Sequence, residues 1–250
     1  MIECNLRASR SFPFSSKCLG VNFIETATRA MCGTEPVEPP TAGRTTPEKD
    51  YVGVKAPMFS FQRLKGADPS LGVEMASTGE VGVFGPDMHD AFLKAMMSTG
   101  MKLPKQNILV SIQERERNEK TLPTLKTLAK LGYTLYATEK TADFLNDAGV
   151  AVTKLNYGCD LPAADNCIDD YISRGDIHLV LMFSNQFSER ILVNYAIRRL
   201  AVDFGVPLIT NIQVAQMFAD SLEATGAVAT GEKPNTGLVL DVRSLHEWYE

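Results

Sequence analysis

At 250 residues, 44% of them hydrophobic, the chain is long enough to build one large domain or two small ones around a real core. Its formal charge of -5 argues against a broad nucleic-acid interface, because such binders display a basic stripe that neutralises several phosphates. The five cysteines (Cys4, Cys18, Cys32, Cys159, Cys167) are odd in number and make no CxxC pair, which argues against a disulfide framework or a zinc site.

A reducing, cytoplasmic setting is expected, since no apolar run approaches the ~20 residues of a membrane helix and the N-terminal residues lack a signal-peptide pattern. In chain order, IECNL reads as a strand over residues 2–6, followed by a helix over residues 22–31 and the Pro- and Thr-rich loop TEPVEPPTAGRTTPEKD. VGVKAPMF and STGEVGVF are β-rich runs joined by a Gly- and Pro-containing connection. MHDAFLKAMMST then reads as a helix with Ala91, Phe92, Ala95 and Met96 on one face.

From Asn107 the rhythm becomes strict alternation. The strands NILVSI, TLYAT, VAVTKL, IHLVLMF and VPLIT are separated by the amphipathic stretches TLPTLKTLAKLG, TADFLNDAG, CIDDYISRG and ERILVNYAIRRLAVDFG, and VAQMFADSLEA follows the last. Apolar strands alternating with helices predict an α/β fold, a five-stranded parallel sheet doubly wound with helices on both faces. The expected division is an α+β segment over residues 1–105, the parallel domain over 106–225, and a linker or tail over 226–250.

On the first strand, alternation puts Glu3, Asn5 and Arg7 on one face. A carboxylate and an amide oxygen so placed suit magnesium, and Arg7 and Arg10 suit a phosphoryl group or a carboxylate; the alternative is a solvated strand face. IECNLRASRSFPFSSKCLGV closely resembles the closing strand and turn of the ATP-grasp fold in the large subunit of carbamoyl-phosphate synthetase, whose pattern is Glu-x-Asn-x-Arg, two small residues, Arg. The resemblance implies that Glu3 and Asn5 bind the magnesium ions on ATP, and that Arg7 and Arg10 contact the phosphate or the carbamate. Leu6 and Ser9 depart from it, standing for a proline and an alanine.

The likeness continues through FSFQRLKGADPSLGVEMASTGEVGVFG and AFLKAMMSTG, in forms nearest the eukaryotic pyrimidine-pathway synthetases. Glu80, within STGEVGVF, is read as structural rather than functional. No glycine-rich loop, phosphate-binding lysines or adenine pocket precede Ile2, and none of His89, His178 and His246 accompanies a cysteine nucleophile. The chain is therefore expected to be inactive alone and to partner the rest of the synthetase and its glutaminase domain.

In the parallel half, ligands are expected beyond the carboxyl ends of the strands. ATEKTAD places Thr138 and Thr141 around a helix start with Lys140 adding charge, a cradle for phosphate or, equally, a helix cap. TLYATEKTADFL, LVLMFSN and AIRRLAVDFGVPLIT match in order the methylglyoxal-synthase-like domain that closes the synthetase large subunit and receives its effectors.

That resemblance implies that Thr138 and Thr141 hold the effector's phosphate, with Lys120 the nearest counterpart of a lysine in bacterial relatives. Met182, Phe183 and Ser184 stand where bacterial relatives contact a uridine nucleotide, and only Ser184 keeps a hydroxyl. Arg198 and Arg199 read either as ligand contacts or as a solvated or ion-paired helix face. The whole implies the C-terminal part of a glutamine-dependent synthetase of pyrimidine synthesis, with ATP and magnesium as cofactors, UTP as inhibitor and phosphoribosyl pyrophosphate as activator. The alternatives are a free-standing lyase making methylglyoxal and a non-catalytic nucleotide-binding module.

Overall fold

A computed structural model describes residues 11–34, 49–70, 77–118, 120–157, 166–183, 191–229, 231, 238 and 240–249. The strand expected over residues 2–6, with Glu3, Asn5, Arg7 and Arg10, lies outside them, as do Ser184 and most of the Pro-rich loop.

FPFSSKCL forms helix α1 (Phe12–Leu19), where only a turn was expected. Pro13 sits in its first turn and Gly20 closes it at φ 69°, the proline-in, glycine-out punctuation of a short helix. Helix α2 (Phe23–Cys32) follows, capped by Asn22, whose side chain accepts from the Glu25 N–H at 3.1 Å. Strands β1 (Val52–Met58) and β2 (Gly79–Gly85) pair antiparallel. Phe14 of α1 lies on this hairpin over Gly82, where a Cβ would meet its ring at 2.7 Å.

Helix α3 (Met88–Ser98) is capped by Asp87 and wedged between the hairpin and the last helix. Burial therefore runs further round it than the expected face. Ala91, Leu93 and Ala95 are buried, and so are Asp90 and Lys94, while Phe92 and Met96 are half-buried. Lys94 is satisfied in place by an ion pair with Asp90, by the carbonyls of Phe84 (3.0 Å) and Asp241, and by the face of Trp248 5.1 Å away.

The parallel sheet contains β3 (Asn107–Ile112), β4 (Thr134–Thr138), β5 (Thr153–Leu155), β6 (Leu179–Phe183) and β7 (Leu208–Ile209), in the order β5-β4-β3-β6-β7. Its helices are α4 (Leu122–Lys130), α5 (Glu139–Asp147), α6 (Ile168–Ser173), α7 (Ile191–Asp203) and α8 (Ile212–Ala224). The expected five-stranded, doubly wound α/β architecture is the one observed.

Alternation along the strands divides the core. Ile108, Val110, Ile112, Leu179 and Leu181 pack with Leu125 and Leu128 of α4, Leu145 of α5, and Phe218 and Leu222 of α8. Leu109, Val180 and Met182 point the other way, onto Ile168 and Ile172 of α6 and Ile197 and Ala201 of α7. Leu93 of α3 belongs to the first cluster, so the helix just before the expected boundary at residue 105 shares the core of the parallel domain. Within the expected tail, Ala227 is fully buried, Leu238 and Leu240 rest on the same core, and Trp248 lies 5.9 Å from Tyr51 and 6.4 Å from Phe84, while residues 242–247 are exposed.

His178 fastens the amino ends of β3 and β6. Its Nδ1 accepts from the Asn107 N–H at 2.9 Å and the Gln106 N–H at 3.3 Å, a role that needs the neutral ring. Burial, reinforced by the Lys105 ammonium and opposed by Asp176, lowers its pKa. A depressed histidine contributes stability that is fully present above the unfolded value of about 6.5 and is lost as pH falls through the folded value. Urea midpoints are thus expected to drop as pH falls below about 6.5, with the drop reduced in His178→Gln; equal slopes in both chains would contradict this role.

Candidate functional site

The chain leaves β3 outward to β4 and β5, then returns to β6 and β7 on the other side, so the order reverses between β3 and β6. In such sheets the crevice for ligands opens at the carboxyl ends beside this reversal, where neighbouring loops diverge. Residues at that edge are Ser111 and Ile112 at the end of β3, the short 3-10 turn Glu114–Glu116, Thr138 at the end of β4, and Met182 and Phe183 at the end of β6.

Thr138 holds the N-cap position of α5 in extended backbone (φ -64°, ψ 153°), yet its side chain does not cap the helix. Its Oγ1 instead lies 3.1 Å from Thr141 Oγ1 and 3.3 Å from Ser111 Oγ. Thr141 is fully buried, and its hydroxyl oxygen accepts the Ile112 N–H at 3.0 Å while its O–H faces the Ile112 carbonyl at 3.3 Å. Of the two readings of ATEKTAD, capping by Thr138 is not the arrangement found.

The result is a row of three hydroxyls, Ser111, Thr138 and Thr141, at the amino end of a nine-residue helix whose first N–H groups receive no side-chain cap. Helix N–H groups aligned with the macrodipole, edged by hydroxyls, favour an anion. Lys140 is exposed beside Thr141, and Lys154 pairs with Glu139 at 3.0 Å across the same helix start. Arg117 bends back so that its Nε donates to the Ile112 carbonyl at 3.0 Å, setting a guanidinium close to the row. Lys120 is exposed, its N–H bound by the Asn118 side chain at 2.9 Å.

Sequence reasoning did not single out Ser111 and Arg117. Ser111 had a signal, a hydroxyl at the carboxyl end of an otherwise apolar run; Arg117 had none, since only the turn brings it back to Ile112. Ser184 lies outside the described residues. Among those described, no cluster of three metal-ligating side chains occurs, and no helix is long and apolar enough to cross a membrane.

Arg198 and Arg199 take the ion-paired alternative, and both are buried. Arg198 grips Asp68 two-pronged, Nε to Oδ1 at 2.8 Å and Nη2 to Oδ2 at 2.6 Å. Arg199 pairs with Asp203 and donates through Nη1 to the carbonyls of Phe61 (3.2 Å), Leu64 (3.0 Å) and Ala67 (3.1 Å). The Arg198 bond, aided by the Ser70 N–H and against partial burial, holds the Asp68 carboxyl below the usual carboxylate value. A depressed carboxylate contributes stability present above its unfolded pKa of about 3.9 and lost as pH falls through the folded value. The grip is therefore intact at neutral pH.

Fold and site together define a doubly wound parallel domain with a row of three hydroxyls at an uncapped helix start on its carboxyl edge. Residues 120–210 match the MGS-like domain family. Over 90% of its length the chain is 49% identical to carbamoyl-phosphate synthase (ammonia), mitochondrial, of Aquarana catesbeiana. It is 47% identical over 89% of its length to the multifunctional protein pyr1-3 of Dictyostelium discoideum, and 45% identical over 99% to the multifunctional protein CAD of Squalus acanthias. The chain spans 15%, 10% and 11% of these three proteins.

Among solved structures, a methylglyoxal synthase from Elizabethkingia anophelis NUHP1 aligns over 47% of this chain and 79% of its own, at 19% identity and a TM-score of 0.36. Residues 120–210 are similar to the MGS-like domain family, and the chain as a whole is similar to one segment of carbamoyl-phosphate synthase (ammonia) and of these multifunctional proteins.

Proposed function

We propose that the chain is the regulatory, C-terminal end of a glutamine-dependent carbamoyl-phosphate synthetase of pyrimidine biosynthesis, working in the cytoplasm with the rest of the synthetase and its glutaminase domain. The MGS-like domain binds a phosphorylated effector through Thr138, Lys140, Thr141 and Ser184, with UTP as inhibitor and phosphoribosyl pyrophosphate as activator. The observation that carries this reading is the uncapped start of α5 edged by the hydroxyls of Ser111, Thr138 and Thr141. The identity to synthases along nine-tenths of the chain supports the larger context.

In the same reading residues 1–105 close an ATP-grasp unit. Glu3 and Asn5 offer the oxygen donors that magnesium takes, and Arg7 and Arg10 offer forks for a phosphate or carbamate. ATP and magnesium supply the phosphoryl-transfer chemistry when the whole synthetase holds them, and this chain alone makes no carbamoyl phosphate.

Thermal unfolding tests the effector site, because a ligand at about 100 times its Kd adds about 2.7 kcal/mol to the stability of the state that binds it. UTP or phosphoribosyl pyrophosphate is expected to raise the melting temperature, and ATP without magnesium to leave it unchanged. A melting temperature indifferent to both effectors would contradict the reading.

A further inference from the structure

Long cationic side chains are seldom buried unless something fixed holds them, yet two adjacent arginines of α7 are buried against residues 59–70. Among the described residues the Arg198 guanidinium makes two attachments. Nε and Nη2 grip Asp68, and Nη1 lies 3.7 Å from Met182 Sδ, at the end of β6. Met182 adjoins Phe183, whose carbonyl accepts the Gln113 N–H at 2.9 Å. Gln113 follows Ile112, the residue whose N–H and carbonyl both meet the Thr141 hydroxyl. An unbroken series of contacts therefore runs from the anion cradle, across the ends of β3 and β6, through one guanidinium to Asp68.

Arg199 reinforces the far end. Its Nη1 gathers three carbonyls from residues 61, 64 and 67, which shapes the turn that presents Asp68. The Tyr195 hydroxyl adds a bond to the Gly66 carbonyl at 2.8 Å, so three side chains on two neighbouring turns of α7 hold the same segment. A helix is stiff along its axis, and a shift of β6 against α7 must be taken up at these bonds or break them.

We propose that Arg198, positioned by Met182 and backed by Arg199, couples occupancy of the cradle to the conformation of residues 59–70, which makes it a positioning residue for regulation and not a ligand contact. This rests on the effector reading above and adds the route by which binding leaves the MGS-like domain. Linkage then requires that loosening the Asp68 end changes affinity at the cradle, although Asp68 is no part of it.

The test uses the full 250-residue chain, with UTP as the probe. Hydrogen exchange of residues 59–70 and the heat of UTP binding are measured on the same samples of the native chain, Asp68→Asn and Arg198→Lys. UTP is expected to change exchange in residues 59–70 of the native chain. Both variants should lose that nucleotide-dependent change and shift the UTP Kd by about fivefold or more, the lower end of typical coupling.

Faster exchange in the variants that is equal with and without UTP, at an unchanged Kd, would mean that the grip is structural only and would overturn the coupling. UTP binding to the native chain that leaves residues 59–70 unaffected would overturn it too, while the effector reading stands. Absence of UTP binding to the folded native chain overturns the coupling, and the effector reading falls with it only if phosphoribosyl pyrophosphate fails to bind as well. Arg198→Lys keeps the charge and loses the fork, so it reports on the bond if Asp68→Asn fails to fold.

Discussion

A chain beginning at residue 106 is expected to be less stable than the full chain by about 3–6 kcal/mol, counting Leu93 as one fully buried side chain and the half-buried Phe92 and Met96 together as a second, at about 1.5–3 kcal/mol each. The loss follows from where α3 sits. Leu93 is fully buried in the same cluster as Phe218 and Leu222 of α8, and Phe92 and Met96 lie partly against it. His89 Nδ1 is 3.2 Å from Ser221 Oγ, a polar tie between the same two helices. The cut also removes residues 59–70, so the two-pronged bond of Arg198 to Asp68 and the bonds of Arg199 to the carbonyls of residues 61, 64 and 67 are lost.

The converse holds for residues 1–105 alone. Their helices α1 and α2 contain no buried residue, and the inner face of α3 is completed by α8. They are expected to be poorly soluble and to show no cooperative transition. Urea unfolding of the three chains measures both statements. A cooperative melt of residues 1–105, or equal stability of the shortened and full chains, would contradict this packing account.

Replacing Thr141 with valine is expected to weaken effector binding by at least about tenfold, equivalent to about 1.4 kcal/mol, while serine at the same position retains it. Valine keeps the shape and removes the hydroxyl that orders the row with Thr138 and Ser111. The same change leaves the buried Ile112 N–H without its acceptor, at a cost of about 1–3 kcal/mol in stability. Titration calorimetry and urea midpoints separate the two effects. A valine variant that is destabilised but binds UTP as tightly as the native chain would confine Thr141 to a structural role.

The parallel half was legible because its signal is redundant. Apolar runs such as NILVSI and LVLMF are buried on both faces, and helices with one apolar side separate them, so strand number and helix order follow from pattern alone. Thr138 and Thr141 were legible for a related reason, since hydroxyls between a strand and a helix mark a carboxyl-edge turn. Which job they do was not, because capping and anion binding use the same residues; only the folded chain shows that Thr138 makes no side-chain cap and that the Thr141 hydroxyl meets Ile112.

Other features depended on partners distant in sequence. Helix α1 was hidden by Pro13 and its run of serines, and it is held by packing on glycines of the hairpin. Asp90 and Lys94 read as polar positions of an amphipathic helix, yet α3 is covered on two sides and Lys94 is satisfied by Phe84 and Asp241. The adjacent arginines of α7 left ligand contact and a solvated or ion-paired face open, and only the folded chain shows that Asp68 and the carbonyls of residues 61, 64 and 67 receive them.

The most direct measurement is isothermal titration of the 250-residue chain with UTP and with phosphoribosyl pyrophosphate, set beside a folded Thr138→Ala, Thr141→Ala double variant. A regulatory domain with its effector site at the start of α5 gives saturable binding of at least one of the two compounds, and that binding is lost in the variant. A folded native chain that takes up neither, or a variant that binds as the native chain does, would contradict the account.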